Sequence, residues 1–229
     1  MLVERMGYWS GSESLAEMHV YEALGNLARM GLDVVMEFNN FVENLDIDIR
    51  TIGSLYQKLY GQKQRIEETK MLVMEYLVRL GSALNNKDIY VNLALSLDRT
   101  VQLIDGAAYR LYMYVANGFK LDEELYSGVK DFIKRLIEEY RILYEGLSKL
   151  RFDPKKTLQS MEQVVKIESD LDMKYREIEL DLFKKLSSNI PALMLLKEAI
   201  DFIEDVADVI KESAEGVRYL ALHRVTTLA

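Results

Sequence analysis

The chain has 229 residues, 49% of them apolar, with 2 prolines, 12 glycines and no cysteine, enough for one well-buried domain without disulfide or thiolate chemistry. A net charge of −8 argues against sequence-independent nucleic-acid binding, which needs clustered Lys and Arg. No apolar run is long enough to span a membrane and residues 1–12 lack the pattern of a signal peptide, so a cytoplasmic protein is expected.

The apolar spacing is helical almost throughout. Residues 13–46 carry Leu24, Leu27, Val34, Val35, Phe38, Phe41, Val42 and Leu45 at three- and four-residue intervals, and residues 49–81 continue with Leu55, Leu59, Ile66, Leu72, Leu77 and Leu80. A turn follows over residues 82–87. Asp88 is then the expected N-cap of a third helix, which ends at Asn117-Gly118. A fourth helix runs over 122–150 and stops at Phe152-Asp153-Pro154, and a fifth spans 156–186. Ser187-Ser188-Asn189-Ile190-Pro191 breaks the chain before a sixth that reaches about His223. No alternating segment competes, so the expectation is all-α: six long antiparallel helices, each roughly 45 Å at 1.5 Å per residue.

In the sixth helix Leu196, Ile200, Ile203, Ala207, Ile210, Ala214 and Val217 repeat at 4-3 spacing, a coiled-coil-like seam. Asp201, Glu204 and Asp208 stand at i, i+3 and i+7 on another side. In the fifth helix the seam is Val164, Ile167, Leu171, Tyr175, Ile178 and Leu182, with Glu168 and Asp172 on its shoulder at i, i+4. Packed side by side, these two helices bring five carboxylates to one groove. Carboxylates so close repel, and a cation between them relieves this. The other reading is a solvated acidic face.

The two halves also align. Ile66-Glu67 matches Ile167-Glu168, and Leu97-Asp98 with Asp105 matches Ile200-Asp201 with Asp208 at nearly the same offset. This gives a single domain over 1–229, built of three-helix repeats at about 1–118 and 119–229. Met71 stands opposite Asp172 and Val101 opposite Glu204, so the first half keeps only Glu67, Asp98 and Asp105, a weaker site.

With these motifs in place the chain resembles the PhoU-like superfamily, and more closely the distant PhoU homologues associated with Pit-type phosphate transporters. The resemblance rests on Ala199-Ile200-Asp201-Phe202-Ile203-Glu204-Asp205-Val206-Ala207-Asp208-Val209 and on Ile167-Glu168-Ser169-Asp170-Leu171-Asp172. Asp88-Ile89-Tyr90, Leu97-Asp98 and Ile104-Asp105-Gly106-Ala107-Ala108 in the first half also fit, and the match runs from about Ile49 to the C-terminus. The resemblance implies iron or another divalent metal on acidic helix faces, with Glu168, Asp172, Asp201, Glu204 and Asp208 as ligands. It further implies a regulator that couples phosphate status to a membrane phosphate transporter or its signalling partner. Met71, Val101 and Gln102 depart from the family's acidic positions.

The donor set is all oxygen, which fits a hard ion. His19 and His223 are expected at the surface. The tyrosines, Tyr109, Tyr112 and Tyr114 among them, are expected to pack, and Tyr8-Trp9 to meet a partner or fold back. No phosphate loop, nucleophile elbow or Glu-x-x-His pair supports an enzyme. The alternative function is a metal-free helical scaffold. Phe202, Val206 and Val209 form a further apolar stripe that leaves room for a homo-oligomer.

Overall fold

The computed structural model describes residues 15–81 and 84–227; Tyr8 and Trp9 lie outside this range. The described chain forms α1 (Leu15–Glu43), α2 (Ile49–Leu80), α3 (Lys87–Ala116), α4 (Glu123–Lys149), α5 (Pro154–Leu186) and α6 (Ile190–Thr227). Side-chain caps explain most of the starts. Asp48 accepts from the amides of Arg50 and Thr51, Asp122 from Glu124 and Leu125, Asp153 from Lys156, and Asn189 from Ala192. Pro154 and Pro191 sit in first turns, where the missing N–H has no helical partner to lose.

The third helix departs from expectation at its start. Its N-cap is Asn86, in the left-handed region at φ 55°, with no side-chain cap bond, and Asp88 lies inside the first turn. There Asp88 complements the helix dipole instead of capping. The other end of α3 closes as a Schellman motif: Gly118 N–H donates to Val115 O, Phe119 N–H donates to Tyr114 O, and the Tyr114 and Phe119 rings pack at 5.3 Å. Gly118 holds φ 76° there. Gly118→Ala should therefore lower stability by about 1 kcal/mol in urea unfolding, and no change in midpoint would show that the turn relaxes without cost.

Helices α1, α3, α4 and α6 form the centre, with α1 against α4 and α3 against α6. Helix α2 packs on α1 and α3, and α5 packs on α4 and α6, so the contact pattern maps onto itself when α1, α2 and α3 are exchanged for α4, α5 and α6. The expected seam of α6 is buried throughout, and so is that of α5 apart from half-buried Tyr175. Phe202, Val206 and Val209 are occupied within the chain: Val206 and Val209 are buried, and the Phe202 ring lies over Gly106 and the Arg110 guanidinium of α3.

Burial also fixes how the halves correspond. In α1 and α4, Val20, Leu24, Leu27, Val34 and Phe38 match Leu125, Val129, Phe132, Glu139 and Leu143. In α2 and α5, Ile52, Leu59, Ile66, Val73 and Leu77 match Thr157, Val164, Leu171, Ile178 and Leu182. This is one helical turn away from the alignment of Glu67 with Glu168. Glu67 stands instead at the level of Asp172, and Lys63 at the level of Glu168.

Candidate functional site

Successive turns of antiparallel α5 and α6 face one another like rungs. Glu179 meets Lys197 at 3.0 Å. Next, the Tyr175 hydroxyl donates to Asp201 at 2.9 Å, and Lys197 donates to the same carboxylate at 2.6 Å. Burial opposes the Lys197 charge, but its bonds to Asp201, Tyr175 and Glu179 outweigh this and raise its pKa. The third rung sets Asp172 against Glu204, carboxylate against carboxylate. At the far end Lys211 donates to buried Glu168 at 2.9 Å.

The third rung is where charge is least compensated. Asp172 pairs with Arg176 on its own helix at 2.8 Å, with both side chains well exposed. Neither Glu204 nor Asp208 has a hydrogen-bond or ion-pair partner among the described residues. Burial, then repulsion from Asp208, Asp205, Asp172 and Asp201, pushes Glu204 up to about 7. Four carboxylates of the expected set thus act on one another here, with Asp201 already paired to Lys197. Among the described residues no group of three or more acids or histidines is gathered closely enough to hold a metal ion as it stands. Any ion taken up would require Asp172, Asp201 and Glu168 to turn from Arg176, Lys197 and Lys211.

The first-half residues are differently placed. Lys70 pairs with Asp98 at 3.0 Å, Gln102 donates to the same carboxylate at 2.7 Å, and Lys63 lies 3.9 Å from Asp105. Burial raises the Asp105 pKa against the pull of Lys63, Tyr56 and Arg110. Where α5 carries Glu168 and Tyr175, α2 thus supplies two lysines, one toward each of Asp105 and Asp98, while Asp105 Oδ1 stays buried without a hydrogen-bond partner among the described residues. Glu67 is half-buried on the face between them.

One acid at the second-half site falls outside the sequence-derived set. Glu139 of α4 is 0% exposed, and neither of its carboxylate oxygens has a hydrogen-bond partner among the described residues. Burial, then the charges of Glu168 and Asp208, push its pKa well above the ordinary value, against Lys211 and Arg135. The signal was present in the sequence: Leu125, Val129, Phe132, Leu136 and Leu143 make a 4-3 seam in which position 139 alone is charged.

The remaining expectations concern surface and packing. His19 and His223 are exposed. Tyr114 is buried and donates to Lys120 O, Tyr112 stacks on Tyr56 at 5.7 Å, and Tyr109 is 43% exposed at the edge of that cluster. No described helix is long and apolar enough to cross a membrane.

The described residues form an all-α bundle of two matching three-helix units. Its fold is that of PhoU. A PhoU-like phosphate regulatory protein from Shewanella oneidensis superposes with a TM-score of 0.74 at 14% identity, covering 90% of this chain and 99% of its own. A PhoU-like protein from the same organism gives 0.76 at 14%, covering 89% and 99%. PhoU from Pseudomonas aeruginosa gives 0.70 at 14%, covering 91% and 98%. No protein-family model matches the chain, and no curated protein matches it.

Proposed function

We propose that this protein is a cytoplasmic, non-catalytic regulator of phosphate uptake that acts on a membrane phosphate transporter or its signalling partner, of the Pit-associated type. The observation that carries the reading is the likeness to PhoU-like phosphate regulatory proteins over nearly the whole of both chains. The acidic groove of α5 and α6 is its regulatory site, binding iron or another hard divalent ion through Glu168, Asp172, Asp201, Glu204 and Asp208. The donor chemistry fits, since every group offers oxygen and Glu204 and Asp208 have no hydrogen-bond or ion-pair partner among the described residues. Such an ion would neutralise the groove and set the surface a partner meets. The Glu67, Asp98 and Asp105 set is at most a secondary site, because Lys63 and Lys70 already serve Asp105 and Asp98.

Elemental analysis of protein purified without chelator or affinity-tag metal tests the metal part. Near-stoichiometric iron or another divalent ion in the wild type should be lost in Glu204→Ala/Asp208→Ala. In chelated buffer the same variant should melt higher at pH 8 and no higher at pH 5. The sign follows from Glu204, whose folded pKa of about 7 exceeds its reference of 4.5. Its contribution is fully present below the lower value and is lost as pH rises through the higher one. Phosphate uptake by cells carrying the deletion, complemented with wild type or the variant, tests the regulatory part; unchanged uptake in the deletion strain would remove it.

A second reading, a metal-free interaction scaffold, is favoured by the ion pairs of Glu168, Asp172 and Asp201 with lysines and an arginine. It predicts no bound metal in either protein, even after reconstitution.

A further inference from the structure

The two halves part company at their matched turns. The α4–α5 turn corresponds to the α1–α2 turn, with Asp153 and Asp48 as the N-caps of α5 and α2. The two turns lie at opposite ends of the bundle, since the start of α4 meets the end of α1 where Tyr126 donates to Val42 O. Residues 44–51 hold one cation, Arg50, and two acids, Asp46 and Asp48. Residues 149–156 hold four cations, Lys149, Arg151, Lys155 and Lys156, and one acid, Asp153. Lys149 pairs with Glu145 at 3.1 Å, while Lys155 and Lys156 have no ion-pair partner among the described residues. At the tips, Ile47 is 39% exposed, whereas its counterpart Phe152 is 80% exposed, with the Arg151 guanidinium 5.1 Å from its ring centroid.

The end of α6 joins this corner. Arg224 donates to Arg151 O at 3.3 Å, tying the last turns of α6 to the α4–α5 turn. Along its outer stripe α6 changes character there: Glu204, Asp208, Glu212 and Glu215 give way to Arg218, Tyr219, Leu222 and His223. All four of the latter are exposed. The matched helix α3 ends at Ala116, opposite Tyr219, so the last two turns of α6 have no helical counterpart.

We propose that the α4–α5 turn and the last turns of α6 dock the protein directly on an anionic lipid bilayer, with Phe152 entering the boundary between headgroups and acyl chains. Charge complementarity selects this occupant: a chain of net charge −8 gathers cations around one exposed aromatic tip. Phe152 projects from a turn, where acyl chains accept a lone ring and no shaped partner is required. Lys155, Lys156 and Arg218 then meet headgroup phosphates, and Tyr219 and Leu222 rest at the interface. The acidic groove does not oppose docking. Asp208 lies about 16 Å along α6 from Tyr219, beyond the screening length of roughly 8 Å at physiological salt. The inference goes beyond the regulatory reading, because neither a transporter nor a metal takes part in the contact.

The test is co-sedimentation of the full chain with protein-free, sucrose-loaded vesicles, in chelator so that no divalent ion bridges the acidic groove to lipid. Wild type should sediment with vesicles containing about one-third phosphatidylglycerol and not with phosphatidylcholine alone, and high salt should release it. Lys155→Glu/Lys156→Glu should weaken binding about twentyfold or more. Phe152→Ser should weaken it about fivefold or more at an unchanged urea midpoint, because the ring is exposed in the free protein. Ile47→Ser/Arg50→Glu makes the same kind of change in the matched turn and should stay within about twofold of wild type. No sedimentation of wild type with the anionic vesicles would overturn the proposal and leave this corner to an acidic protein partner. Wild-type binding by Lys155→Glu/Lys156→Glu, or an equal loss in Ile47→Ser/Arg50→Glu, would overturn it as well. Unchanged binding by Phe152→Ser would overturn the insertion of the ring. Phosphate regulation, read by uptake in cells, stands or falls separately from each of these results.

Discussion

Gly31→Ala is expected to cost about 3 kcal/mol or more of folding free energy, read as a large fall in urea midpoint at unchanged slope. Gly31 lies mid-helix in α1, where alanine would ordinarily gain about 1 kcal/mol in helix propensity. The reason for glycine is Tyr140 of α4. A Cβ at position 31 would overlap the Tyr140 hydroxyl oxygen and lie 2.9 Å from its Cζ. Tyr140 is 0% exposed, so its rigid ring has nowhere to turn. Relief requires parting α1 from α4 along a contact that joins the two halves. Gly146→Ala is the control: its Cβ would meet the Met161 methyl, the far end of a flexible side chain, and Ser160 Cβ at 3.2 Å. Its cost should stay nearer 1 kcal/mol. Tyr140→Phe should recover part of the Gly31→Ala loss and be close to neutral alone, because the Tyr140 hydroxyl has no hydrogen-bond partner among the described residues. Equal midpoints for the two glycine variants would refute this account.

What the sequence made legible follows from periodicity. Leu196, Ile200, Ile203, Ala207, Ile210, Ala214 and Val217 announce a buried seam because 4-3 spacing keeps them on one face, and all seven are buried. Facing shoulders then permit, without requiring, Glu168, Asp172, Asp201, Glu204 and Asp208 to lie along one groove. Register is less legible. Sliding α2 by one turn against α5 leaves its apolar stripe on the same side, so matching Ile66-Glu67 to Ile167-Glu168 satisfies the pattern equally well. Only packing distinguishes the two, and it sets Lys63, not Glu67, at the level of Glu168. The counter-ions were missed for a related reason: Lys197, Lys211 and Lys63 reach their carboxylates along flexible stems, and their pairing is set by which helices are neighbours. Contacts such as Gly31 on Tyr140 depend on two elements meeting at one level, which no single-helix pattern encodes. Glu139 was legible in principle, as the one charge in the α4 seam, but an isolated acid has no spacing to mark it.

Glu139→Met should stabilise the metal-free protein by about 2 kcal/mol at pH 7.5, by replacing an unpartnered buried carboxyl with apolar surface of similar length. The matched position in the other half is Val34, buried at 2% exposure, so the fold accepts an apolar residue at this level of the seam. The pH dependence gives the result its signature. Glu139 has a folded pKa well above its reference of 4.5, so wild type retains its full stability below that reference and loses stability progressively as pH rises above it. The methionine variant carries no such loss. Its advantage should therefore be small at pH 4.5 and grow toward pH 7.5, measured by urea unfolding in chelator. A destabilised variant at pH 7.5 would mean the carboxyl is held by favourable bonds. A gain independent of pH would mean that packing alone, without the buried charge, sets the difference. A gain that grows with pH would identify Glu139 as a buried charge carried against the stability of the fold, with the charges of Glu168 and Asp208 adding to its cost.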